Sequence, residues 1–236
     1  MKRTAKRDAL IRAARKALRE AGDPAKAPIM QAYMKSAMPY LGIQATPLRK
    51  ISKRVFLTHR IESFEEWSDS VLELWRGAKY REERYLAIGL AGYSAYRKFR
   101  TLEALPIYEE MITTGAWWDY VDSIASHRLG ELLRLHPAKM GAVLRKWAKS
   151  DDMWKRRSAI LAQLGFKSET DVKLLYDCIR PSICEKEFFL RKAIGWALRQ
   201  FARTDAREVS RYVAEHEAEL SLLSKREALK HIDGGL

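Results

Sequence analysis

What most limits how this chain can fold is the recurrence of helix starts from one end to the other, with almost nothing that reads as a strand. Ser63 stands three residues before Glu66 in ESFEEW, and Ser168 before Asp171 in SETDVKLLY. Asp205 precedes Glu208 in TDAREVSRYV, and Ser224 precedes Glu227 in LSKREALKHI. At each place a side-chain oxygen can accept from a backbone N–H that the first turn leaves free, and the later acid favours the positive end of the helix. Thr46 before Pro47 and His136 before Pro137 add two proline starts, where the missing N–H is no loss. About a dozen helices of roughly 10 to 18 residues, joined by short loops, fit the length.

Trp75, Trp118, Trp154 and Trp196 recur at intervals of 43, 36 and 42 residues, each in a helical segment near a basic residue. Two of the three intervals fall within, and the third lies below, the roughly 40 to 47 residues of HEAT and armadillo arrays, which bury a continuous core by stacking. The expected fold is therefore all-α, a right-handed superhelical solenoid of HEAT-like helical-pair repeats, with a globular helical bundle as the alternative. No Gly-, Pro- or Ser-rich linker interrupts the pattern, so one domain is expected over residues 1–236, with residues 1–7 as a basic N-terminal extension. The Arg- and Lys-rich start has no apolar signal-peptide centre, and Leu10, Ala13, Ala14, Ala17 and Leu18 make the stripe of a first amphipathic helix. A cytoplasmic location follows from that reading.

Lysine and arginine number 44 against 30 acidic residues, a net charge of +14. That imbalance points to an anionic partner, nucleic acid first, because its phosphates reward many spread cations through counterion release. No stretch of about 18 uncharged apolar residues is present, so no membrane span is expected. Cys178 and Cys184 are too few for a structural zinc site and read as reduced thiols. The five histidines lack metal spacing, so neither metal nor cofactor is expected.

Three stripes that should be apolar carry polar groups. After Trp118, residues Val121, Ala125, Leu129 and Leu132 form a buried face, and Asp122 lies at its edge. A carboxylate there must be hydrogen-bonded, paired with a cation or held facing a cleft. In DDMWKRRSAILAQL, Arg157 interrupts a face made by Met153, Ile160, Leu161 and Leu164. It needs an anion, which the sequence leaves open between Asp122 and a phosphate. In EKEFFLRKAIGWALRQFAR, Leu190, Ile194, Ala197, Leu198 and Phe201 supply the packing side. Phe189, Lys192, Trp196, Arg199 and Arg203 form a second stripe, which suits either phosphate and sugar contacts or a snorkelling basic face. Tyr33 is a further aromatic that such a surface could use, although by itself such a tyrosine is more often core.

The stretches YMKSAMPYLGIQATPLRK, WWDYVDSI, RRSAILAQL, KEFFLRKAIGWALRQFA and LSKREALKHI together resemble the AlkD-type DNA alkylation repair glycosylases, in order from about residue 28 to residue 231. The resemblance implies a HEAT-like solenoid cupping double-stranded DNA that contains alkylated bases, working as a monomer. It also implies an activity, hydrolysis of the N-glycosidic bond of cationic alkylated purines such as 7-methylguanine or 3-methyladenine, without a base-flipping pocket. Carried onto this chain, it makes Asp122 the catalytic acid, Trp118 and Trp196 the sugar-contacting indoles, Arg157 a groove arginine and Tyr33 a DNA contact. Lys192, Arg199 and Arg203 join them as candidate phosphate contacts. The alternative is a non-catalytic HEAT-like module that binds nucleic acid through a basic groove.

Overall fold

A computed structural model describes residues 2–232, with side chains from residue 5 onward, so Met1 of the basic extension lies outside the described residues. These residues are helical throughout, with no strand among them. No helix among them is long and apolar enough to cross a membrane. The chain divides into two compact units, residues 1–107 and 108–236.

The first unit contains α1 (Lys2–Glu20), α2 (Ala27–Met34), α3 (Ala45–Thr58), α4 (Phe64–Arg76) and α5 (Arg81–Ala91). α1 takes in residues 2–7, so the described part of the basic extension continues the first helix. It packs on α3, α4 and α5. Leu10, Ala14 and Leu18 are buried as the stripe requires, together with Phe56, Trp67, Trp75, Leu86 and Leu90. The loop after α2 is fixed by a buried carboxylate. Glu82 accepts from the backbone N–H groups of Leu41, Gly42 and Ile43 at 2.9, 2.9 and 3.0 Å. Gly42 adopts φ +88°, and a Cβ there would meet the Asp23 carbonyl at 2.1 Å, so only glycine fits.

The second unit begins within α6 (Leu105–Gly115) and continues with α7 (Trp118–Ser123), a π-helical turn (Ile124–Leu129) and α8 (Gly130–Leu135). There follow α9 (Pro137–Trp147), α10 (Met153–Leu161), α11 (Val172–Ile179), α12 (Phe188–Ala202), α13 (Ala206–Glu215) and α14 (Leu222–Ala228). Neighbouring helices pack pairwise, α8 on α9, α9 on α11, α10 on α12 and α12 on α14.

The helix starts resolve into two groups. Ser63 caps α4 by accepting from the Glu66 N–H, Asp205 caps α13 by accepting from the Glu208 N–H, and Pro137 opens α9. The other two capping boxes are displaced by three residues. Asp171 itself caps α11, accepting from the Leu174 N–H, while Ser168 sits in a short 3-10 turn. Ser221 caps α14, accepting from the Ser224 N–H, which frees Glu227 for another partner. α3 starts at Ala45, two residues before Pro47. The amide that Ser168 would have capped, Asp171 N–H, donates instead to the Gln163 side-chain oxygen at 2.8 Å, and the Ser224 hydroxyl donates to the Arg191 carbonyl.

Candidate active site

The turn that sets the site is built at the end of α6. Ala116 takes the left-handed conformation, φ +43°, and its N–H closes on the Ile112 carbonyl at 3.0 Å. Glycine is the usual residue there, yet the glycine of this sequence stands one place earlier, at Gly115. Trp117 follows in extended conformation and α7 starts at Trp118. Trp118 is half-buried, and Asp122 lies one turn later on the same side of the helix. Val121, Ala125, Leu129 and Leu132 are buried as the stripe requires.

Directly after Asp122 the helix widens into the π turn, and the Ser126 hydroxyl donates to the Asp122 carbonyl at 2.6 Å. Gly130 then lets α8 close on the chain beyond α10, since a Cβ there would meet the Ala162 carbonyl at 2.8 Å. α10 is capped by Asp152, which accepts from the N–H groups of Trp154 and Lys155. Its second turn delivers Arg157, only 3% exposed, against Asp122, 8% exposed.

The two side chains form a two-pronged ion pair. Nε of Arg157 donates to Oδ1 of Asp122 at 2.7 Å, and Nη2 donates to Oδ2 at 2.8 Å. Nη1 of Arg157 donates to the backbone carbonyl of Phe189 in the first turn of α12. Of the two anions the sequence left open for Arg157, the structure supplies the carboxylate, and one guanidinium thereby ties α7, α10 and α12 together. Burial pushes the Asp122 carboxyl above the usual carboxylate range. The hydrogen bonds and charge of Arg157 pull the other way, and nearby Asp119 adds to the rise. The carboxylate is not sealed in, for its side chain keeps 11% of its surface open.

Three rings beside this pair were not grouped by the sequence. Trp117, Trp154 and Phe189 have ring centroids 6.4, 5.7 and 5.1 Å apart, and the Arg157 guanidinium carbon lies 5.9 Å from the Phe189 centroid. Phe189 therefore belongs to this packed cluster as well as to the stripe on which its spacing placed it. Each ring comes from a different element, so no helical period joins them. The adjacent Phe188 is half exposed and sets its ring edge-on to Phe189.

Trp196 is half-buried on α12, seven residues after Phe189, which puts it on the same face roughly 10 Å along the axis. The cations around it have partners. Lys192 Nζ lies 2.6 Å from Oε1 of Glu227, and Arg199 Nη1 lies 2.5 Å from Oε2 of the same residue. Two cations expected to await phosphates are thus held by one carboxylate of α14. Arg203 is exposed at the end of α12, where it lines a cleft of about 270 Å³ with Lys167, Gln200 and Thr204. In the first unit Tyr33 is 79% exposed on α2, with Ile29 one turn before it 69% exposed.

Against known proteins, a family model described as DNA alkylation repair enzyme matches residues 14–232. Among solved structures, the chain is similar to a protein of Enterococcus faecalis described as a predicted DNA alkylation repair enzyme, with 30% identity and a TM-score of 0.81. That match covers 90% of this chain and 97% of the other. Two Streptococcus mutans proteins share the fold. The one named AlkD2 is 16% identical with a TM-score of 0.61, covering 88% of this chain and 99% of its own. The other, smu.31, is 18% identical with a TM-score of 0.59, covering 79% and 93%. No curated protein matches the chain. The length of the family match, together with the Enterococcus structure, places this chain in the family of DNA alkylation repair enzymes.

Proposed function

We propose that the protein is a monofunctional DNA glycosylase that hydrolyses the N-glycosidic bond of cationic alkylated purines in duplex DNA. The observation that carries this reading is the Asp122 carboxylate, held by both prongs of Arg157 yet not fully closed to solvent, one turn from the half-buried Trp118. Here burial lowers the local dielectric, so its charge acts strongly on any positive charge that develops nearby.

Cationic purines suit what the site offers. An alkylated purine already carries a positive charge and leaves as a neutral base with the bonding electrons, so no general acid is needed to protonate it. The charge that then grows on deoxyribose is what a fixed anion stabilises. Water adds to the sugar carbon and gives up its proton to Asp122 or to solvent. The indole faces of Trp118 and Trp196 attract the same positive charge. Arg157 acts as a positioning residue, keeping the carboxylate ionised and aimed. The net charge of +14, Lys192, Arg199 and Arg203 on α12, and exposed Tyr33 are the features suited to the DNA strands.

The test is a base-release assay on duplex DNA carrying a panel of lesions. Release of 7-methylguanine and 3-methyladenine is expected, with little or none of neutral lesions. Binding to the same duplexes without release of any base would overturn the enzymatic reading in favour of a non-catalytic DNA-binding module.

A further inference from the structure

We propose that Glu227 is a built-in substitute for a DNA phosphate: in the free protein its carboxylate occupies a cation pair on α12, and a phosphodiester displaces it when duplex binds. The inference rests on the DNA-binding reading above and adds to it the state of that site before DNA arrives.

Lys192 and Arg199 are seven residues apart, two turns along one face, on either side of Trp196. Glu227 meets each with a separate oxygen, Oε1 toward Lys192 and Oε2 toward Arg199. A phosphodiester presents the same chemistry, two equivalent oxygens on one centre sharing a single negative charge. The carboxylate is a true anion at neutral pH. Lys192 first, then Arg199 and Lys230, hold its carboxyl below the usual range against an opposing effect of burial. One carboxylate among these cations leaves the neighbourhood with positive charge to spare.

The backbone below it is fixed while the charged ends are reachable. A Cβ on Gly195 would lie 2.5 Å from Glu227 Cβ and 2.8 Å from the Ser224 carbonyl, so α14 sits tightly on α12 at this point. The Ser224 hydroxyl adds a hydrogen bond to the Arg191 carbonyl at 2.9 Å. The side chains of Lys192, Arg199 and Glu227 keep 39%, 18% and 14% of their surface open. Exchange therefore needs the outer atoms of three side chains to turn, with no movement of a helix. The Lys192 pair is the more open of the two and the readier to trade partners, and a polyanion gains from the trade by releasing its condensed counterions.

Glu227→Gln keeps the shape at the tight contact and removes the charge, so it is the variant to use. Binding of a fluorescently labelled, undamaged duplex is followed by anisotropy across a series of sodium chloride concentrations, with thermal melts to establish that each variant is folded. The variant is expected to bind about three- to tenfold more tightly at low salt, with a log–log salt slope steeper by about one, because two cations instead of a net one now meet phosphates. Lys192→Gln and Arg199→Gln added to it should abolish both gains. Glu227→Asp, whose carboxylate is drawn back by one methylene, should fall between wild type and Glu227→Gln. Affinity and slope equal to wild type, weaker binding, or gains that survive loss of the two cations would each overturn the proposal. So would failure of both Glu227 variants to fold, since Glu227 would then be a member of the core that cannot leave its partners. Wild-type protein with no affinity for duplex would instead overturn the reading on which the proposal rests.

Discussion

Arg157 and Asp122 solve a problem neither could solve alone. A lone carboxylate as buried as Asp122 would take up a proton, and a lone guanidinium as buried as Arg157 would leave its donors unmet. Paired, each meets the other's charge and hydrogen-bonding groups, and the pair is half legible in the sequence: an acid at the edge of one apolar stripe and a cation inside the next are unexplained until each finds the other. Which anion Arg157 takes is a tertiary fact, as is the Trp117, Trp154 and Phe189 cluster, whose rings come from separate elements. One consequence concerns pH. The active form is the ionised carboxylate, so base release should fall as pH drops through the Asp122 pKa, which burial raises and Arg157 lowers. Arg157→Gln removes the lowering influence, so the acid limb of the pH–rate profile should move to higher pH; an unmoved limb would separate Arg157 from the charge state of Asp122. A second consequence concerns stability. Asp122→Asn leaves a buried guanidinium short of its anion and should cost roughly 1 to 3 kcal/mol in urea unfolding.

At the scale of elements, the helices themselves were written plainly in periodicity, whereas their exact starts were not. Ser63 and Asp205 cap as their spacing indicates, but Asp171 and Ser221 replace Ser168 and Ser224, because the Asp171 amide is taken by Gln163 and the Ser224 hydroxyl by the Arg191 carbonyl. The displacement matters at α14, where it releases Glu227 to face α12. Two backbone positions give sharp expectations. Ala116 holds a left-handed conformation that disfavours any residue with a Cβ, so Ala116→Gly should raise stability by roughly 1 kcal/mol. No gain in the melting curve would mean that the turn is not strained. Gly195→Ala would force a methyl against Glu227 and the Ser224 carbonyl, and a loss of about 1 to 3 kcal/mol is expected, with α14 the first segment to lose amide protection in hydrogen exchange. Nothing in sequence alone marks the π turn after Asp122, since it is the helical path that changes there and the residues are ordinary.

For the whole molecule, the excess of basic residues points by itself to an anionic partner. The tryptophan interval pointed to helical repeats, although its four members do different work. Trp75 is 1% exposed and purely core, and Trp154 is 9% exposed within the ring cluster, while Trp118 and Trp196 are half-buried at the candidate site. A repeat period locates equivalent helices without saying which face of each one is closed by its neighbour. Charge is equally indirect. Many of the cations that make the total are already matched to acids, Lys192 and Arg199 among them, so affinity for DNA depends on how readily those pairs open. The proposed catalytic role falls to one carboxylate of this basic chain. It is tested most directly by single-turnover release of 7-methylguanine from duplex DNA, with enzyme in excess, for wild type and folded Asp122→Asn. The expected result is near-equal DNA affinity and a rate lower by roughly a hundredfold or more in the variant; equal rates for the two proteins would contradict it.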